Sequence, residues 1–122
     1  MKNKLPKILI LIPRIDSSGP SRGAVALSNL LNRNKMSTFI ISHKSAAKDP
    51  LYYGFNNIKN YFDIATTNKS FFKKIKDINN FIDAKNITHI ISFCLSSDFI
   101  NVLIRRKQNS IYSWKFTKKL FL

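Results

Sequence analysis

"KILILIPRIDSSGPSRGAVAL", Lys7 to Leu27, joins an unbroken run of isoleucine and leucine to a stretch holding three serines, two prolines and two glycines. The run from Lys7 to Pro13 is β-branched and leucine-rich and has no polar alternation. It therefore reads as a strand covered on both faces, the pattern of a central strand in a parallel sheet. After the serines, Leu27, Leu30 and Leu31 recur three and four residues apart while Asn29, Asn32 and Arg33 can face water, which predicts an amphipathic helix from Gly23 to Arg33. Pro20 suits its first turn, with Ser18 or Gly19 as the cap. Gly23, Ala24 and Ala26 are small enough for the helix to approach the preceding strand.

The next apolar run, Ser37 to Ser42, reads as a second buried strand, so strand, helix and strand form a right-handed βαβ unit. Downstream, "HKSAAKDPLYYGFNN", His43 to Asn57, has no periodicity and reads as an excursion, followed by a weak strand at 58–62. Phe71, Ile75, Ile78 and Ile82 then fall at helical spacing, widened by Phe72 and Phe81, and Asn86 can end that helix. "ITHIISF", Ile87 to Phe93, reads as another buried strand. Ser96, Ser97 and Asp98 supply cap chemistry for a helix running to about Arg106, and 110–114 can be a fifth strand. The expected fold class is thus α/β: a Rossmann-like three-layer sandwich, one domain over residues 1–122, with five parallel strands and helices on both faces.

Composition bounds what such a domain can do. Over 122 residues, 21 are Lys or Arg and 6 Asp or Glu, a formal net charge of +15 that favours phosphate-bearing partners. Lysine, asparagine, isoleucine and phenylalanine are inflated together, however, as an AT-rich coding sequence produces without selection for binding. The basic residues are scattered, not blocked, and no nucleic-acid recognition motif is present, so specific nucleic-acid binding is not expected. One cysteine, Cys94, excludes an intramolecular disulfide framework and a multi-cysteine zinc site. The apolar start is too short to span a bilayer, which needs about 20 apolar residues. It also lacks a small-residue cleavage site, so the expected location is the cytoplasm, at most against a membrane surface.

The turn from Arg14 to Arg22 lies where α/β sheets bind ligands, beyond the carboxyl ends of the strands. A dinucleotide fingerprint needs G-x-G-x-x-G, but Gly19 and Gly23 stand in a G-x-x-x-G arrangement and no acidic residue closes the next strand. A P-loop needs Gly-Lys-Ser or Gly-Lys-Thr, which is absent. What remains is a helix N-terminus presenting backbone amides, worth about 0.3–1 kcal/mol per favourable charge. Arg14 and Arg22 flank it, and Ser18, Gly19 and Ser21 lie between them. Ser96, Ser97 and Asp98 follow a strand and fall on the same edge of the sheet, where helix capping also explains them. His89 reads as a core residue, His43 as a strand-end residue without a carboxylate nearby in sequence, and Cys94 as a small hydrophobe. Trp114, with Tyr112 and Lys115, reads as core or rim packing.

The order strand, glycine-containing loop, helix "AVALSNLLN" and "KMSTFIISHK", with the later "IKDINNFIDAKNITHIISF" and "NSIYSWK", resembles the N-terminal domain of family 4 glycosyltransferases of the GT-B fold. The resemblance runs from Lys7 to about Lys115. It departs at the loop, where the family has adjacent glycines and this chain has Ser18, Gly19, Pro20 and Ser21. It departs again before the fourth strand, where the family often has Asp and this chain has Thr88 and His89. The resemblance implies transfer of a sugar from a nucleotide-sugar donor to a saccharide or lipid-linked acceptor, as in making surface polysaccharide, and peripheral contact with an anionic membrane. It implies no metal and no cofactor. It assigns substrate binding to Arg14, Ser18, Gly19, Ser21, Arg22, Ser96, Ser97 and Asp98, and leaves the catalytic residues unassigned. The family's donor-gripping second domain, with its Glu-x7-Glu motif, has no counterpart in these residues. A truncated chain, inactive alone, is therefore expected. Two other readings stay open: a basic nucleic-acid-binding domain and a stand-alone flavodoxin-like regulatory domain.

Overall fold

The computed structural model describes residues 5–14, 19–44 and 70–104, together with the backbone of 61–63 and 109–112. The elements are β1 (Lys7–Ile12), α1 (Gly19–Arg33), β2 (Ser37–Ser42), β3 (Tyr61–Asp63), α2 (Phe71–Lys85), β4 (His89–Ser92), α3 (Leu95–Leu103) and β5 (Asn109–Tyr112). They build an α/β structure around an open parallel sheet. Its body is β2–β1–β4, with Lys7–Ile12 paired to Ser37–Ser42 on one side and Ile8–Leu11 to His89–Ser92 on the other. Short parallel pairings at Tyr61–Asp63 and Asn109–Tyr112 lie outside these three, giving the order β3-β2-β1-β4-β5. The sequence predicts these outer strands at 58–62 and 110–114; residues 58–60 and 113–114 lie outside the described residues.

β1 shows why a run without alternation makes a central strand. Leu9 and Leu11 enter one apolar cluster with Ile78 and Ile82 of α2 and Ile100 of α3, while Ile8, Ile10 and Ile12 enter another with Ala24 of α1. Five consecutive side chains are thereby buried, alternately toward opposite layers. Full burial of each contributes about 1.5–3 kcal/mol. The layer arrangement follows from connection handedness: from β1 the chain crosses through α1 to β2 on one side, and from β4 through α3 to β5 on the other. Two right-handed crossovers in opposite directions put their helices on opposite faces.

α2 begins and ends as its sequence signals. The Ser70 hydroxyl accepts from the Lys73 amide, and Asn86 closes the helix in the left-handed conformation at φ 55°. Ile78 and Ile82 are buried as expected, but Phe72, expected to widen the stripe, stands 82% exposed. In α1 the expected row also shifts. Leu27 and Leu31 pack against the core as expected, but Leu30 is exposed, and the most buried positions of the inward face are Ser21, Ala24, Val25 and Ser28. Ser28 is buried because its hydroxyl shares a 2.7 Å hydrogen bond with the Thr38 hydroxyl at the start of β2. β4 begins at His89, two residues later than expected; just before it the Thr88 amide donates to the Lys7 carbonyl at 2.8 Å and the Thr88 hydroxyl accepts from the Lys7 amide at 3.0 Å.

Candidate functional site

The sheet order reverses direction between β1 and β4, and in open α/β sheets the crevice outside the carboxyl ends at such a point is the natural ligand site. A cavity of about 590 Å³ lies there, lined by Pro13 and Arg14 after β1, Pro20 at the start of α1, Lys44 after β2, and Cys94, Leu95 and Ser96 where β4 turns into α3. Among the described residues the lining has two cations, Arg14 and Lys44, and no carboxylate. Two helices begin at its wall, and their leading amides add positive potential.

Backbone hydrogen bonds fix this rim by carrying the sheet ladder past the strand ends. The His43 amide donates to the Ile12 carbonyl at 3.2 Å, the Lys44 amide to the Pro13 carbonyl at 2.8 Å, and the Phe93 amide to the Leu11 carbonyl at 3.0 Å. Ser21 ties α1 to the same strand, its hydroxyl donating to the Arg14 carbonyl at 2.7 Å.

The glycines play a different part from the one their neighbourhood suggests. Both belong to α1, and neither has a positive φ. A Cβ at Gly19 would meet nothing within 4 Å, so no close backbone approach is required there. At Gly23 it would touch the Phe93 ring at 3.4 Å, so the small residue lets α1 pack against the end of β4.

Of the residues assigned to binding, Arg14 and Ser96 line the cavity. Gly19 and Arg22 are exposed on α1, and Ser21 is buried in the bond to Arg14. Ser18 lies outside the described residues. Ser97 and Asp98 are fully buried, so neither is placed to touch an acceptor hydroxyl. They belong to polar contacts under α3. Ser97 shares a 2.8 Å hydrogen bond with Nε2 of His43, and the Asp98 carboxylate accepts from the Ser92 hydroxyl at 2.5 Å. Asn101 donates through Nδ2 to the Ser92 hydroxyl at 3.1 Å.

His43 is 3% exposed, and the Lys74 ammonium donates to its carbonyl at 2.7 Å. Burial, and then the Lys44 and Lys74 charges, pushes its imidazole down to about 4, so near neutral pH the ring is uncharged. His89, expected in the core, is instead half-buried at the first position of β4, its Nδ1 sharing a 2.8 Å hydrogen bond with the Thr88 hydroxyl. Trp114 and Lys115, and the side chain of Tyr112, lie outside the described residues.

Pro13, Pro20, Lys44, Cys94 and Leu95 also line the cavity, and the sequence assigns none of them to binding. Lys44 carried no signal beyond its charge. Cys94 sits at φ 75° and ψ 155°, backbone space that is nearly glycine's alone, at the junction of β4 and α3. Among the described residues no group of three or more His, Cys, Asp or Glu side chains is placed to hold a metal ion, and no described helix is long and apolar enough to cross a membrane.

The parallel sheet with helices on both faces and a crevice at its switch point defines an α/β fold class without selecting a family or a ligand. Comparison of the chain with protein-family models, with curated proteins and with solved structures found no match.

Proposed function

We propose that the chain is the N-terminal, acceptor-side domain of a GT-B glycosyltransferase, contributing the cavity between β1 and β4 to the binding of a phosphate-bearing substrate. The observation that carries the reading is that this cavity is lined by the cations Arg14 and Lys44 and opens at the starts of α1 and α3. Such a site favours an anion. It suits the diphosphate of a nucleotide-sugar donor or of a lipid-linked acceptor. The order of elements from Lys7 to about Lys115 supports the same reading by its resemblance to the family. A second domain gripping the donor is part of this proposal, and these residues alone are expected to bind the anion weakly and to transfer no sugar.

Titration calorimetry with a uridine diphosphate-sugar and with a soluble polyprenyl diphosphate analogue tests it. Either ligand is expected to bind with an affinity that falls on adding salt and falls about tenfold in Arg14→Gln combined with Lys44→Gln. No diphosphate binding, or binding indifferent to both substitutions, would remove the cavity from the reaction. Sugar transfer by the isolated chain would show it to be a complete small enzyme.

A further inference from the structure

α3 is amphipathic in the reverse sense. Toward the interior it presents Ser97, Asp98 and Asn101, each 0% exposed, alongside Ile100 and Ile104. Toward the surface it presents Leu95, Phe99 and Leu103, each between 46% and 49% exposed. These three are spaced by four residues and form one row along the helix. The row continues onto α2: the Phe71 ring lies 6.1 Å from Phe99 and 5.9 Å from Phe72, and Phe72 is the most exposed large apolar side chain described. A contiguous strip of aromatic and leucine side chains on a surface is a place where something other than water belongs.

Its occupant follows from the charge around it. Lys73 and Lys76 are exposed beside Phe72 on α2, whose first turn holds no acidic residue. Arg14 and Lys44 stand at the cavity mouth with Leu95. The sole acid of α3, Asp98, is turned inward, and the whole chain carries +15. Apolar side chains flanked by lysines on a strongly cationic chain match the two layers of an anionic lipid surface: the acyl boundary takes the rings and leucines while the headgroup phosphates meet the ammonium groups. We infer that the row Leu95, Phe99 and Leu103 with Phe71 and Phe72 is a docking face for an anionic membrane surface. The family resemblance carries the same expectation of membrane contact; the face adds which residues would make it, and it needs neither a sugar nor a second domain.

Co-sedimentation of the full chain with vesicles tests it, one set of neutral phosphatidylcholine and one with phosphatidylglycerol added. Binding to the anionic vesicles is expected, with little to the neutral ones. The partition coefficient should fall roughly tenfold in Phe72→Gln combined with Phe99→Gln. Lys73→Gln with Lys76→Gln should lower it several-fold and flatten its dependence on salt. Because the replaced side chains are exposed, circular dichroism and thermal melting of the variants should match the parent. Vesicle binding unchanged by the Phe72 and Phe99 substitutions would overturn the inference. So would a chain that ignores vesicles and sediments as a dimer that the same substitutions dissociate, because the strip would then be a protein interface.

Discussion

Nε2 of His43, just past the end of β2, lies 2.8 Å from the Ser97 hydroxyl on the first turn of α3, a pair 54 residues apart in sequence and buried on both sides. The bond links the β2 end of the cavity rim to the helix that starts at its opposite wall, and it places a titratable ring where no charge is welcome.

Stability should therefore depend on pH through His43. Its imidazole has its ordinary value of 6.5 in the unfolded chain and about 4 in the fold, so between those values the unfolded chain binds the extra proton. The stabilisation is complete above pH 6.5 and drains away as pH falls toward 4. The full loss is about 3 kcal/mol. Urea unfolding from pH 7.5 to 4 should show this decline, and His43→Gln should flatten it; a His43→Gln curve as steep as the parent's would assign the dependence to other groups.

Asp98 should act on folding and not on anion binding. It is fully buried and accepts from Ser92, so Asp98→Ala leaves that hydroxyl without its acceptor and should lower stability by about 2–4 kcal/mol. Asp98→Asn, which keeps an acceptor oxygen, should lose less. Diphosphate affinity of the Asp98→Asn protein at a temperature where it is fully folded should equal the parent's. A large affinity loss there would return Asp98 to the binding surface.

Cys94 occupies backbone space costing a non-glycine residue about 1–3 kcal/mol, against about 0.5–1 kcal/mol of extra entropy that glycine loses on folding. Cys94→Gly should therefore leave the protein as stable or raise its midpoint in urea, whereas Cys94→Val, branched at Cβ, should lower it. Equal losses in both variants would show that the thiol's packing outweighs the strain.

What the sequence disclosed was the part written in apolar periodicity. Lys7–Ile12 declared a two-sided strand because every residue after Lys7 is apolar, and α2 declared its body through Ile78 and Ile82 and its end through Asn86. α1 disclosed less, because its inward face carries Ser21 and Ser28, buried through the partners Arg14 and Thr38 that only folding brings close. Leu30 read as core for the same reason: hydrophobicity was the only marker of inwardness. The buried pairing of His43 with Ser97 left no trace in local spacing. The rim at Cys94 was hidden as well, since cysteine carries none of the turn preference that glycine at that φ would have announced.

The ladder bonds that run past the ends of β1 have a consequence for how the cavity meets its ligand. Because the amides of His43, Lys44 and Phe93 all donate to carbonyls of one strand or the proline following it, these three sites can open to solvent only when the centre of the sheet opens with them. The rim is thereby tied to the cooperative unit of the core, and its amide protons are expected to exchange as slowly as that unit's. An anion bound as proposed would find these parts of the wall already in place. The entropy lost on binding falls mainly on the side chains of Arg14 and Lys44 and on the ligand itself.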